Sequence, residues 1–189
     1  MKIIDTNIQG LKILEPKVFE DTRGKFIKTF TNDFFKTLNL NINIKETYYS
    51  ISHKDVIRGM HFQTPPDEHI KLVYVSHGEI VDVVLDIRKN SPTYGKFFEI
   101  NLSDENRKVL IIPEGLAHGF KSLKNNTNVT YMQTSCYSPN NDKGINYNSF
   151  GFDWKCSNPK LSDRDLSFPS LNDFITPFTY SLFIKNNLK

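Results

Sequence analysis

Cysteine is scarce in this sequence. Cys136 and Cys156 are the only two among 189 residues, too few for a disulfide framework and without the close paired spacing of a zinc site, so both read as reduced thiols. Long apolar runs are missing too. Nothing approaches the roughly 20 residues that a membrane-crossing helix needs, and Met1 to Gly10 lacks the apolar core of a secretory signal. A cytoplasmic protein with no membrane partner is expected. Neither sign of charge dominates: 24 basic and 21 acidic residues leave a net charge of +3 and are scattered along the chain. That is a solvated surface, not the clustered basic footprint of a nucleic-acid binder. Internal repeats and low-complexity linkers are absent. With 38% hydrophobic residues, the chain is long enough for one well-buried core and short for two. Residues 1–189 are therefore expected to form a single domain.

What is present is mostly strand. Residues 10–15, 25–31, 46–52, 71–76, 79–87, 97–102, 107–112 and 128–136 carry the β-branched and aromatic enrichment or the alternation of β-strands. Turn chemistry such as His77-Gly78 and Asn125-Asn126 separates several of them at the short spacing of antiparallel sandwiches and barrels. An all-β jelly roll or closed barrel is the natural reading. One short helix is expected over residues 32–38, where Phe34, Phe35 and Leu38 have helical spacing behind a capping Asn32 or Asp33. From Asn140 the chain turns polar and aromatic and is punctuated by Pro159, Pro169 and Pro177. The stretch 140–189 should therefore be loop with short helical pieces, wrapping the barrel.

Two segments could carry chemistry. In Arg58-Gly59-Met60-His61-Phe62-Gln63, strand alternation turns Met60 and Phe62 to one face and His61 and Gln63 to the other. An inward histidine of this kind is either a hydrogen-bonded core residue or part of a pocket. The second segment, Ile112 to Phe120, holds His118 in what reads as a glycine-rich turn, where backbone and side chain can both approach a ligand.

Further motifs complete the pattern: Asp21-Thr22-Arg23-Gly24-Lys25-Phe26, Val56 to Gln63, Gly78-Glu79, Asp86-Ile87-Arg88-Lys89, Ser91 to Gly95, Tyr137-Ser138-Pro139 and Leu161-Ser162-Asp163-Arg164-Asp165. In this order, from Phe19 to about Leu171, they resemble the dTDP-4-dehydrorhamnose 3,5-epimerases of the cupin-like jelly-roll superfamily. The resemblance implies a double-stranded β-helix barrel with short peripheral helices. It also implies an isomerase that works without a cofactor or metal on a nucleotide-diphosphate 4-keto-6-deoxyhexose. In that chemistry a base removes a weakly acidic proton beside a ketone and the site must hold the resulting enolate. By resemblance His61 is the base, Asp165 its carboxylate partner, Lys71 the cation facing the C4 oxygen and Tyr131 the acid on the opposite face. Arg58 and Arg23 match positions that hold the nucleotide phosphates. His118, Gln63 and Tyr137 match further pocket positions. Arg23 corresponds to a residue that reaches a neighbouring subunit, which implies a homodimer exchanging strands.

The sequence departs from the family pattern at Lys28 and Glu46, where a glutamate and a glutamine associated with thymine are usual. A lysine donor and a carboxylate acceptor would complement cytosine better than thymine, which keeps a CDP-linked sugar open beside dTDP. Alternatively, the two pair with each other at the rim. Tyr48 and Tyr49 stand where the family more often has small polar or imidazole groups. Inversion at C3, at C5 or at both is compatible with these motifs. Competing readings are a sugar-nucleotide 3,4-ketoisomerase and a non-catalytic sugar-nucleotide-binding barrel. Metal-dependent barrels of this shape carry closely spaced histidines, and none follows His61; His53, His69 and His77 show no ligand spacing.

Overall fold

A computed structural model describes residues 1–37, 40 and 42–181. In chain order the elements are β1 (Lys2–Asp5), β2 (Lys12–Glu15), β3 (Lys17–Asp21), β4 (Gly24–Lys28), helix α1 (Asn32–Thr37), β5 (Glu46–Ser52), β6 (Ile57–Gln63), β7 (Lys71–His77), β8 (Glu79–Asp86), β9 (Phe97–Ser103), β10 (Val109–Ile112), β11 (Leu116–Ser122), β12 (Thr127–Gln133), β13 (Asp142–Gly144) and helix α2 (Asp163–Leu166). Six strands form one antiparallel sheet in the order β1-β2-β10-β7-β12-β5, five form a second in the order β13-β6-β11-β8-β9, and β3-β4 is a separate hairpin. The first two sheets face each other as a jelly roll.

Alternation explains which side chains fill the space between the sheets. Along β12 the even pattern buries Thr127, Val129, Tyr131 and Gln133 and leaves Asn128, Thr130 and Met132 half-buried on the other face. Val73 and Val75 from β7 and Leu110 and Ile112 from β10 meet Ile80, Val84, Leu116 and Phe120 of the opposing sheet. The outer faces are covered as well. Ile145, Phe150, Phe152, Trp154, Leu171 and Phe178 pack over Met60, Phe62, Val83, Leu85 and Ala117, which is why β8 and β11 are buried on both faces. Phe35 of α1 and Ile42 cover Leu14, Leu72, Val109 and Ile111 on the other side. Each such side chain contributes about 1.5–3 kcal/mol on burial.

Several expectations are corrected here. The stretch around His118 is a strand, β11, and only Pro113 to Gly115 turn; Gly119 is in the strand because Gly59 of β6 needs the space. Strands β1, β3 and β13 add to the expected set. β3 has no buried residue, so no apolar face marks it. The helix cap is Thr31, whose hydroxyl accepts from the Phe34 N–H at 3.4 Å, with Asn32 and Asp33 inside the first turn. Leu38 lies outside the described residues. The 86–95 motif is a structural knot. Both oxygens of buried Asp86 are taken by the Arg88 guanidinium, and one also accepts from Ser91 and Thr93. Among the described residues, no helix is long and apolar enough to cross a membrane.

The pairing of β6 with β11 slips by one residue between His118 and Phe120, so His61 lies opposite His118 while Arg58 lies opposite Phe120. The bulge depends on Gly59, which has φ +141° and where an added Cβ would stand 2.4 Å from the Gly119 Cα. Gly59→Ala should cost at least about 2 kcal/mol, from backbone strain together with overpacking. Urea unfolding checks this; an unchanged midpoint would contradict the tight crossing.

Candidate active site

A cavity of about 360 Å³ opens between the two sheets, lined by β5, β6, β7, β11 and β12 together with Tyr137, Asp142 and Arg164. One organising contact joins residues 104 apart in sequence: His61 Nε2 lies 2.8 Å from Asp165 Oδ1. Asp165 is brought there by α2, whose first turn is capped by the Ser162 hydroxyl accepting from the Asp165 N–H. The other Asp165 oxygen accepts from the Gly59 N–H at 3.2 Å. Burial would raise the Asp165 carboxyl, but the His61 bond and charge and the Gly59 N–H outweigh it and hold it below the usual carboxylate range. A carboxylate only accepts, so Nε2 carries a proton, and in the neutral imidazole the free lone pair is on Nδ1. The His61 side chain remains 29% exposed, and the Phe168 ring stands edge-on to it at 5.6 Å.

A second pair lies deeper. His118 Nε2 meets Asp82 Oδ2 at 2.8 Å, and both side chains are buried. Burial lowers the His118 pKa against the pull of Asp82. The other Asp82 oxygen has no hydrogen-bond partner among the described residues. Lys71 is buried in the same cavity. Burial pushes it down to about 8, with Asp142 and Asp82 opposing. On the same sheet as Lys71, opposite the strands that carry His61 and His118, Tyr131 is buried, which raises its phenol and keeps it protonated through the neutral range. Its hydroxyl is 3.4 Å from Ser50 Oγ, and the Tyr48 ring stacks on it with centroids 4.7 Å apart and planes at 19°.

The remaining expected residues fall in different places. Arg58 lines the cavity, with its Nε donating to Ser52 Oγ at 3.1 Å. Gln63 lines it too, but its amide is committed to structure: Nε2 donates to the Asp67 carbonyl at 2.8 Å, and Oε1 accepts from the Ser138 N–H at 2.7 Å. Glu46 accepts from the Tyr137 N–H at 2.7 Å. Together Gln63 and Glu46 pin the loop after β12, leaving the Tyr137 side chain 60% exposed at the mouth. Arg23 sits at the tip of the β3-β4 hairpin with its side chain 88% exposed and paired to Asp21 at 2.6 Å. It and exposed Lys28 are not among the residues lining this chain's cavity.

Sequence reasoning missed Asp82, although a lone acid inside the apolar run Ile80 to Leu85 was a readable signal. It also assigned no role to Ser50, Asp142 or Arg164. Asp142 and Arg164 pair at 2.6 Å at the cavity edge, and the Arg164 guanidinium lies 5.0 Å over the Phe168 ring. Among the described residues, no three His, Cys, Asp or Glu side chains are grouped to hold a metal ion.

A protonated phenol, a histidine fixed by a carboxylate and a buried lysine around one cavity suit proton transfer at carbon next to a carbonyl. Comparison with known proteins agrees. The family model for dTDP-4-dehydrorhamnose 3,5-epimerase matches residues 5–173. A dTDP-4-dehydrorhamnose 3,5-epimerase of Shigella flexneri is 41% identical over 170 residues, 88% of this chain and 94% of that protein. The Bacillus anthracis enzyme of that name, solved with TDP and pyrophosphate bound, superposes with a TM-score of 0.87 at 37% identity, covering 89% of this chain and 98% of that one. A Legionella pneumophila dTDP-6-deoxy-D-glucose-3,5-epimerase, solved with dTDP-4-keto-L-rhamnose, does so with a TM-score of 0.88 at 36% identity over 92% of this chain and 94% of that one. The chain carrying this cavity thus belongs to the dTDP-4-dehydrorhamnose 3,5-epimerase family.

Proposed function

We propose that this protein epimerises a dTDP-linked 4-keto-6-deoxyhexose at C3, C5 or both, through an enolate. The observation that carries the reading is that His61 and Tyr131 stand on opposed sheets across one cavity, on β6 and β12. His61 Nδ1 takes the proton beside the ketone, and Asp165 stabilises the imidazolium that forms. The electron pair moves onto the C4 oxygen, where the Lys71 ammonium meets the charge. Tyr131 then delivers a proton to the other face. Return from His61 would only restore the starting configuration, so inversion requires this second donor. Arg58 supplies a planar fork for the diphosphate.

Glu46 and Lys28 leave CDP conceivable on chemistry alone, but similar enzymes were solved with TDP and with dTDP-4-keto-L-rhamnose bound, so we assign thymidine diphosphate. Residues 1–189 act as one domain whose segment after residue 140 covers the barrel. The protein works in the cytoplasm as a homodimer in which the β3-β4 hairpin carries Arg23 into the partner's cavity. Support for the dimer is the hairpin itself: Phe19 and Phe26 are 46% and 62% exposed there, and Arg23 has no place in its own chain's cavity.

Incubation in D2O with dTDP-4-keto-6-deoxyglucose should place deuterium at the inverted carbon or carbons, read by NMR. His61→Asn should reduce exchange by at least about 10²-fold; undiminished exchange would reject His61 as the base. The rate should decline as pH rises through about 8, because Lys71 loses its charge above that value. A flat alkaline limb would remove Lys71 from the oxyanion role. Arg23→Ala and His61→Asn chains, each impaired alone, should regain activity when mixed and refolded, since one hybrid site then has both groups. Failure to complement would exclude exchange of the hairpin.

A further inference from the structure

The cavity-facing residues of β5 each engage a tyrosine of the acid wall. Side chains two apart on a strand share a face, and Glu46, Tyr48 and Ser50 all line the cavity. Glu46 holds the Tyr137 backbone, Ser50 approaches the Tyr131 hydroxyl, and Tyr48 is the direct cross-strand partner of Tyr131. We propose that Tyr48 is a positioning residue for proton delivery, clamping the Tyr131 ring so that its hydroxyl meets the enolate carbon on the face away from His61. This rests on the epimerase reading above.

Magnitudes favour the stack over the hydroxyl contact. At 3.4 Å the Ser50 oxygen is well beyond the roughly 2.7–2.8 Å of a good O–H···O bond and cannot hold the phenol alone. The rings of Tyr48 and Tyr131, by contrast, are nearly parallel at 4.7 Å, an arrangement in which aromatic pairs attract beyond simple burial. His118 adds only an edge contact at 6.3 Å. Tyr48 is also the more exposed ring, 41% against 7% for Tyr131, so it shields the donor from water on that side. The Tyr48 hydroxyl is not required for either task.

Deuterium labelling separates the two faces. His61 breaks the C–H bond in every case. If the imidazolium exchanges its proton with D2O and returns a deuteron, the recovered substrate is labelled with its configuration retained. If Tyr131 delivers the deuteron, the product is inverted. At early times in D2O with dTDP-4-keto-6-deoxyglucose, Tyr48→Ala should lower inversion about three- to tenfold relative to exchange, the size an aromatic pair supports. Tyr48→Phe should keep the wild-type ratio, and Tyr131→Phe should show exchange without inversion. The proposal is overturned if Tyr48→Ala moves neither rate, lowers both in parallel or raises KM alone, or if Tyr48→Phe matches Tyr48→Ala. Absence of any exchange in the unaltered protein would instead defeat the epimerase reading, and the proposal with it.

Discussion

The backbone contact between Gly59 and Gly119 is the constraint around which the site is built. Strands β6 and β11 approach so closely there that neither position can carry a side chain without displacing the other strand or Met60. The accompanying slip in register sets His61 beside His118, and the freed Gly59 N–H turns to Asp165. Three features follow from one crossing: the orientation of the base, the anchoring of its carboxylate and the placement of the inner histidine. A side chain at Gly59 would therefore disturb chemistry and packing together.

Around that crossing the protein buries charge at a cost that a purely structural core would avoid. Lys71, Asp82, His118 and Asp165 are all nearly inaccessible, and removing charged groups from water is expensive unless they are paired. Asp165 and His118 have partners, whereas one Asp82 oxygen has none among the described residues. Such an arrangement suits a site whose charges must act on a transient enolate in a poorly screening environment. The Asp86–Arg88 pair shows the contrast: there each carboxylate oxygen is satisfied, and the group lies outside the cavity.

Much of this fold could be read from the chain. The limits of β5 coincide with the segment expected over residues 46–52, and β7, β8 and β10 follow their β-branched runs. Where reading failed, the cause was local. Gly115 and Gly119 look alike in sequence, yet one makes a turn with φ +79° and the other admits a neighbouring strand. The polar hairpin β3-β4 has no core face to betray it. For the site, single residues were informative only through the ordered motifs. No spacing rule links His61 to Asp165 or Asp142 to Arg164, because these meet through topology. The aromatic Tyr48 stood out as a departure, but its contact with Tyr131 required the pairing of β5 with β12.

The two sheets divide the labour. His61 and its carboxylate belong to β6 and α2, while Tyr131, Tyr48 and Ser50 belong to β12 and the sheet edge at β5. An edge strand pairs on one side only, so its inward residues can be exchanged with little disturbance to the rest of the ladder. The base and its carboxylate are thereby set apart from changes at the β5 edge. A scaffold divided this way can diversify: substitutions along one peripheral strand can alter how the second proton is delivered, while the base and its carboxylate are inherited intact.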